Sequence, residues 1–201
     1  MKRVQQGFTL VEIAIVLVII GLLLGGILKG QEMIIQAKIK NVIADMSGVS
    51  AAMYGYQDRY KALPGDDKNA NPRWSSTTPG NGDGYIQGVY SLAAPGTLAS
   101  ATQTATTESV MFWHHLRLAG FVSGTLADQP FNAVSGKMGV QTGDGAAPGS
   151  AVGVLSDGAA TPTKFSSLML CSSNLPDKIA TSVDAQTDDG QGKTGTVRGQ
   201  K

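Results

Sequence analysis

The sequence predicts an α+β protein in which one long N-terminal helix packs on a small antiparallel sheet. Three observations carry this expectation. An almost unbroken apolar run covers Phe8 to Leu28. From Ile35 to Tyr60, apolar residues then recur four and three apart, which is one face of a single helix. Beyond Pro64 the chain breaks into short segments punctuated by Gly, Pro, Ser and Thr, the pattern of turns and short strands.

At 201 residues there is room for one modest domain and its appendages. The charged fraction of 15% is low for a soluble enzyme, and the net charge of +1 offers no basic surplus for nucleic acid. The single cysteine, Cys171, excludes an intramolecular disulfide and reads as a small buried hydrophobe.

Lys2 and Arg3 precede the apolar run and Lys29 closes it. The run matches the ~20 residues a helix needs to cross a bilayer. Basic residues on its N-terminal side place residues 1–7 in the cytoplasm and the C-terminus outside. Secretory signals carry their small-residue cleavage site after the apolar stretch. Here the processing point, between Gly7 and Phe8, lies before it. Glu12 sits inside the run, where a lone carboxylate costs on the order of 2–4 kcal/mol, so it needs a partner. The plain alternative is a residue near a helix end that reaches the interface, favoured by the helix dipole. Gly21, Gly25 and Gly26 let neighbouring helices approach closely.

The residues Gly7-Phe8-Thr9-Leu10-Val11-Glu12 resemble the leader junction of type IV pilins and type II secretion pseudopilins. That resemblance implies a pilin-like fold and a structural rather than enzymatic role. It implies cleavage after Gly7 by a prepilin peptidase and N-methylation at Phe8. It further implies that Glu12 pairs with the Phe8 amine of a neighbouring subunit during filament assembly. Other subunits and the inner membrane are then the partners, with a single-pass anchor, a periplasmic C-terminal head, and later a pilus or pseudopilus. Lys29 stands where many type IV pilins carry a proline at the end of the run. Two rival readings are a membrane-anchored binding or enzymatic domain with an uncleaved anchor, and a domain released after Gly25 or Gly26.

The expected organisation is a leader (1–7), a transmembrane or filament-core helix (8–28), its amphipathic continuation (29–62) and a globular head (63–201) with a variable loop (63–108). Phe8 to about Ala62 would form one helix of roughly 80 Å, stopped by Pro64. Residues 91–109 approach low complexity and read as exposed and mobile. Glu108 to Ala119 reads as a short helix ended by Gly120. Ala133–Gly143, Ser150–Asp157 and Thr163–Cys171 read as short strands. Asn174 is placed to cap a last helix beginning at Pro176.

Two acidic groups are candidate calcium ligands. Asp184, Asp188 and Asp189 lie near the C-terminus, and Asp66, Asp67 and Asp83 lie in the phrases ALPGDD and GNGDG, with Asn69, Asn71 and Asn81 beside them. Calcium takes six to eight oxygens on turn-rich backbone. The plain reading is that Asp, Asn and Gly simply make turns. His114-His115 are adjacent on a helix and so point apart, which suits a partly exposed helix with one buried aromatic rather than a shared ligand. No P-loop, dinucleotide-binding glycine pattern or zinc spacing is present, and no nucleophile motif surrounds Cys171.

Overall fold

The computed structural model describes residues 9–90, 107–124, 129–148, 154–155 and 164–199. Their elements are α1 (Leu10–Tyr60), α2 (Ala70–Arg73), α3 (Glu108–Leu118), β1 (Met138–Thr142), β2 (Leu168–Ser172) and α4 (Asp177–Thr187). The fold class is α+β, as the sequence predicts. Two compact units divide the chain, Met1–Lys38 and Ile39–Lys201.

In the first unit every residue from Leu10 to Leu28 is exposed. The helix is long and apolar enough to cross a membrane, and none of its apolar window is buried within the chain. Leaving a large aliphatic side chain in water forgoes roughly 1.5–3 kcal/mol. A stretch carrying Leu10, Val11, Ile13, Ile15 and Val16 alone therefore needs a cover the chain does not supply.

In the second unit the helical stripe faces inward. Ile39, Val42 and Tyr56 are buried, and Met46, Val49, Met53 and Tyr60 are half-buried. Ala52 and Tyr56 join Ile86, Phe112, Trp113, Leu116, Met138 and Val140 in one core, with Leu168 and Leu170 packed against it. The four-three spacing places these side chains one above another on the face that covers α3 and the sheet. The helix ends at Tyr60, where Lys61 takes a left-handed conformation (φ 55°) before Leu63 and Pro64 turn the chain.

The sheet corrects the strand expectation. Among the described residues it has two strands, antiparallel, with register Met138↔Ser172 through Thr142↔Leu168. The first half of Ala133–Gly143 is a turn instead. The Asn132 carboxamide accepts the Val134 and Gly136 N–H groups (2.9 and 2.8 Å) and donates to the Ser173 carbonyl (2.8 Å). An Asn that bonds its own following backbone competes with a ladder, and here it wins. Of the expected strand Ser150–Asp157, Val154 makes a single bridge to Phe165, and residues 150–153, 156 and 157 lie outside the described residues. The third strand begins at Leu168 rather than Thr163.

Two further corrections concern the helices. Asn174 does not cap α4. It adopts a left-handed conformation (φ 58°) and its side chain donates to the Val134 carbonyl (3.0 Å), while Pro176 stands at the cap position. α3 matches its expected span and stops before Gly120, but it is buried along Glu108–Leu116 instead of partly exposed. The cause is the 63–90 segment, which folds onto it. Gly65 has φ 92°, and a Cβ there would come within 2.5 Å of the Glu108 carbonyl, so only glycine lets the loop backbone lie this close to α3. Residues 91–106, most of the segment read as mobile, lie outside the described residues.

Candidate functional site

Three places carry the chemistry that the sequence singles out. The first is the start of α1. Thr9 precedes the helix, and its N–H and hydroxyl both donate to Glu12 Oε2 (2.8 and 2.7 Å). The Glu12 N–H in turn leans on Thr9 Oγ1 (3.3 Å). This is a reciprocal capping box, which satisfies donors that a helix start otherwise leaves unpaired. Within a single chain Glu12 is thus engaged by its own helix terminus, closer to the helix-end reading than to a bare carboxylate. The Thr-x-x-Glu spacing was legible in the sequence. Gly7 and Phe8 lie outside the described residues.

The second place is the loop built from ALPGDD and GNGDG. Asp66 is buried, and its carboxylate accepts the N–H groups of Gly82 (2.6 Å), Asp83 (3.1 Å) and Gly84 (2.7 Å). The two glycine-rich phrases are therefore halves of one staple. Asp67 points elsewhere. It accepts the Tyr56 hydroxyl (2.7 Å) and the Asn69 N–H (2.8 Å) and forms an ion pair with Arg73. Asp66 and Asp83 converge with Glu108, their carboxylate oxygens within 4.8 Å of one another. Glu108, in sequence simply the start of a helix, accepts the Gln87 and Asn81 N–H groups (2.9 and 3.3 Å). Burial pushes its pKa up, opposed by those two N–H groups and reinforced by Asp66 and Asp83. Asp83 is exposed and accepts from Tyr85 N–H, Asn81 Nδ2 and Gln87 Nε2.

The third place is the end of α4, where Asp184, Asp188 and Asp189 also lie within 4.8 Å of one another. Asp188 and Asp189 are exposed, whereas Asp184 is only 3% exposed. Burial pushes the Asp184 carboxyl up, with the charges of Asp189 and Asp188 adding to it and the Gly190 N–H opposing it.

The histidines serve packing and the loop. His115 is fully buried; its Nδ1 accepts the Gly65 N–H (2.9 Å), so its Nε2–H donates to the Thr78 carbonyl (3.1 Å). His114 Nδ1 meets Thr77 Oγ1 (3.1 Å). The two rings share no ligand position. Burial holds the Cys171 thiol up at about 12, so it stays protonated and a poor nucleophile.

Comparison with known families decides the reading of the N-terminus. Residues 2–28 match the family described as the prokaryotic N-terminal methylation motif. This segment is a prepilin-type motif. No curated protein and no solved structure matches the chain. The prepilin-type motif is that of type IV pilins and pseudopilins, a structural family, and it implies processing by a prepilin peptidase and assembly with other subunits. It covers Gly7, Phe8 and Glu12, and the apolar helix in which it lies suits membrane anchoring. The head falls outside the match.

Proposed function

We propose that this prepilin-like chain is a structural subunit of a type IV pilus or a type II secretion pseudopilus. On this reading a prepilin peptidase cleaves after Gly7 and the new amine at Phe8 is methylated. The subunit waits in the inner membrane with its head in the periplasm, then enters the filament through its N-terminal helix. Glu12 would meet the Phe8 amine of a neighbour, because a carboxylate and an amine in an apolar medium gain most from each other and so fix axial register. The observation that carries the proposal is the prepilin-type motif on a helix whose apolar residues find no cover within their own chain.

Intact mass and N-terminal sequence of the protein from bacterial membranes test it. The expected chain begins at methylated Phe8. A chain retaining Met1 in cells with active prepilin peptidase would overturn the proposal and leave an anchored domain.

A further inference from the structure

We infer that Asn81–Gly82 is a self-modification site, that the Asp66 carboxylate keeps it silent in the folded head, and that its reaction releases the 81–84 segment from Asp66 irreversibly. The inference does not rest on the filament reading.

Asn81–Gly82 is the one Asn-Gly pair in the sequence, and both residues are exposed. Glycine has no Cβ to shield its backbone nitrogen, so the atom that must attack the preceding carboxamide is open to approach. In that reaction the Gly82 nitrogen gives its proton to a base and bonds to Asn81 Cγ. The Cγ–Nδ2 bond breaks, and Nδ2 takes up one proton and leaves as ammonia. Water then opens the cyclic imide at either carbonyl, giving aspartate or isoaspartate. Nothing is oxidised or reduced, and water is the sole co-reactant.

The fold withholds each group that this step needs. The Gly82 N–H donates to Asp66 Oδ1 (2.6 Å). Removing its proton would set a negative nitrogen against a carboxylate oxygen, and Asp66 is buried, where solvent screens little of that repulsion. The carboxamide is tied as well. Its Oδ1 accepts the Asp83 N–H (2.9 Å) and its Nδ2 donates to Asp83 Oδ2 (2.7 Å). On either side, Glu108 accepts the Asn81 N–H (3.3 Å) and Asp66 Oδ2 accepts the Gly84 N–H (2.7 Å). The Lys68 stem covers the glycine, 3.2 Å from where a Cβ would stand. Cyclisation therefore requires the segment to open first, so its rate follows the open population.

The same contacts exclude the product. Aspartate at position 81 would place a carboxylate oxygen where Nδ2 now meets Asp83 Oδ2, like charge against like charge. Isoaspartate routes the chain through Cβ and Cγ and lengthens it by a carbon. The Gly82, Asp83 and Gly84 N–H groups then no longer converge on Asp66. With the ammonia gone, the staple cannot re-form.

The test incubates the full chain in detergent at mildly alkaline pH, folded and urea-unfolded. Conversion is read as the amide-to-acid mass change and the isoaspartyl content of the peptide carrying Asn81. The unfolded chain should convert at least ~10-fold faster than the folded one, because hydrogen bonds to a charged group hold the segment shut. Asn81→Gln should remove the signal from that peptide. Asp66→Asn keeps the shape but not the charge, and should bring the native rate most of the way to the unfolded one. If that variant fails to fold, wild-type conversion and Gly82 amide exchange, followed together through low urea, should rise in parallel. Folded wild type converting as fast as the unfolded chain overturns the inference. So does a folded Asp66→Asn that converts at the wild-type rate, or conversion that stays flat while Gly82 exchange rises. Fully converted chain should also unfold at lower urea than fresh chain, and an unchanged midpoint would refute the release of the segment.

Discussion

Acid should loosen this protein through His115. The ring is buried against the Tyr56 ring (centroids 6.3 Å apart), and its Nδ1 lone pair is occupied by the Gly65 N–H. A proton added at Nδ1 would face that N–H, so protonation must break the bond that holds the 63–66 turn to α3. Burial is the main cause that carries the folded pKa from 6.5 down to about 4; the Thr78 carbonyl opposes it, and the charges of His114 and Arg73 add to it. Between those values the unfolded chain binds the extra proton. The His115 contribution is therefore complete above pH 6.5 and drains away as pH falls toward 4. At about 1.4 kcal/mol per pH unit the loss is on the order of 3 kcal/mol. Glu108 works in the opposite sense, because its raised pKa favours the folded state as pH falls. The informative quantity is thus the difference between wild type and His115→Gln. Urea unfolding of the full chain in detergent, followed by tryptophan fluorescence between about pH 7.5 and 4.5, measures it. Wild type should start the more stable, and its advantage should shrink by roughly 2–3 kcal/mol on acidification. Two stability curves that run parallel would refute the reasoning.

Two further expectations concern other residues. Tyr56→Phe removes the hydroxyl that Asp67 accepts and leaves the Arg73 pair and the Asn69 N–H in place; it should cost about 1–2 kcal/mol in the same unfolding assay, and no change would mean that Arg73 and Asn69 suffice for Asp67. Glu12→Val should still lose its leader but enter filaments poorly when scored by shearing and immunoblot, and normal incorporation would count against a register role for the carboxylate.

What the sequence disclosed, it disclosed through local pattern. The stripe from Ile39 to Tyr60 faces the core because helix periodicity fixes which side chains share a face, and α3 lies between Glu108 and Gly120 because both ends are marked. The prepilin-type motif within residues 2–28 is readable because its residues are contiguous. What it concealed were pairings between distant backbone and side-chain groups. His115 meets Gly65, fifty positions away, and Asp66 holds Gly82 and Gly84, so neither role has a signature near the residue itself. Asn174 shows the same thing: placed to cap a helix by sequence, it is instead spent on the Val134 carbonyl forty residues away. Among the calcium candidates, composition alone could not show that Asp66 is already supplied with three backbone donors.

The Thr9–Glu12 cap gives the proposed assembly step a prepared acceptor. A waiting subunit need not carry a wholly bare carboxylate through lipid, because its own helix terminus engages Oε2. The other oxygen, Oε1, is left for a neighbour's amine, since an ionised carboxylate accepts at both oxygens. Docking on this scheme adds a contact to the cap instead of undoing it, and a subunit leaving the filament would fall back on bonds it had kept throughout.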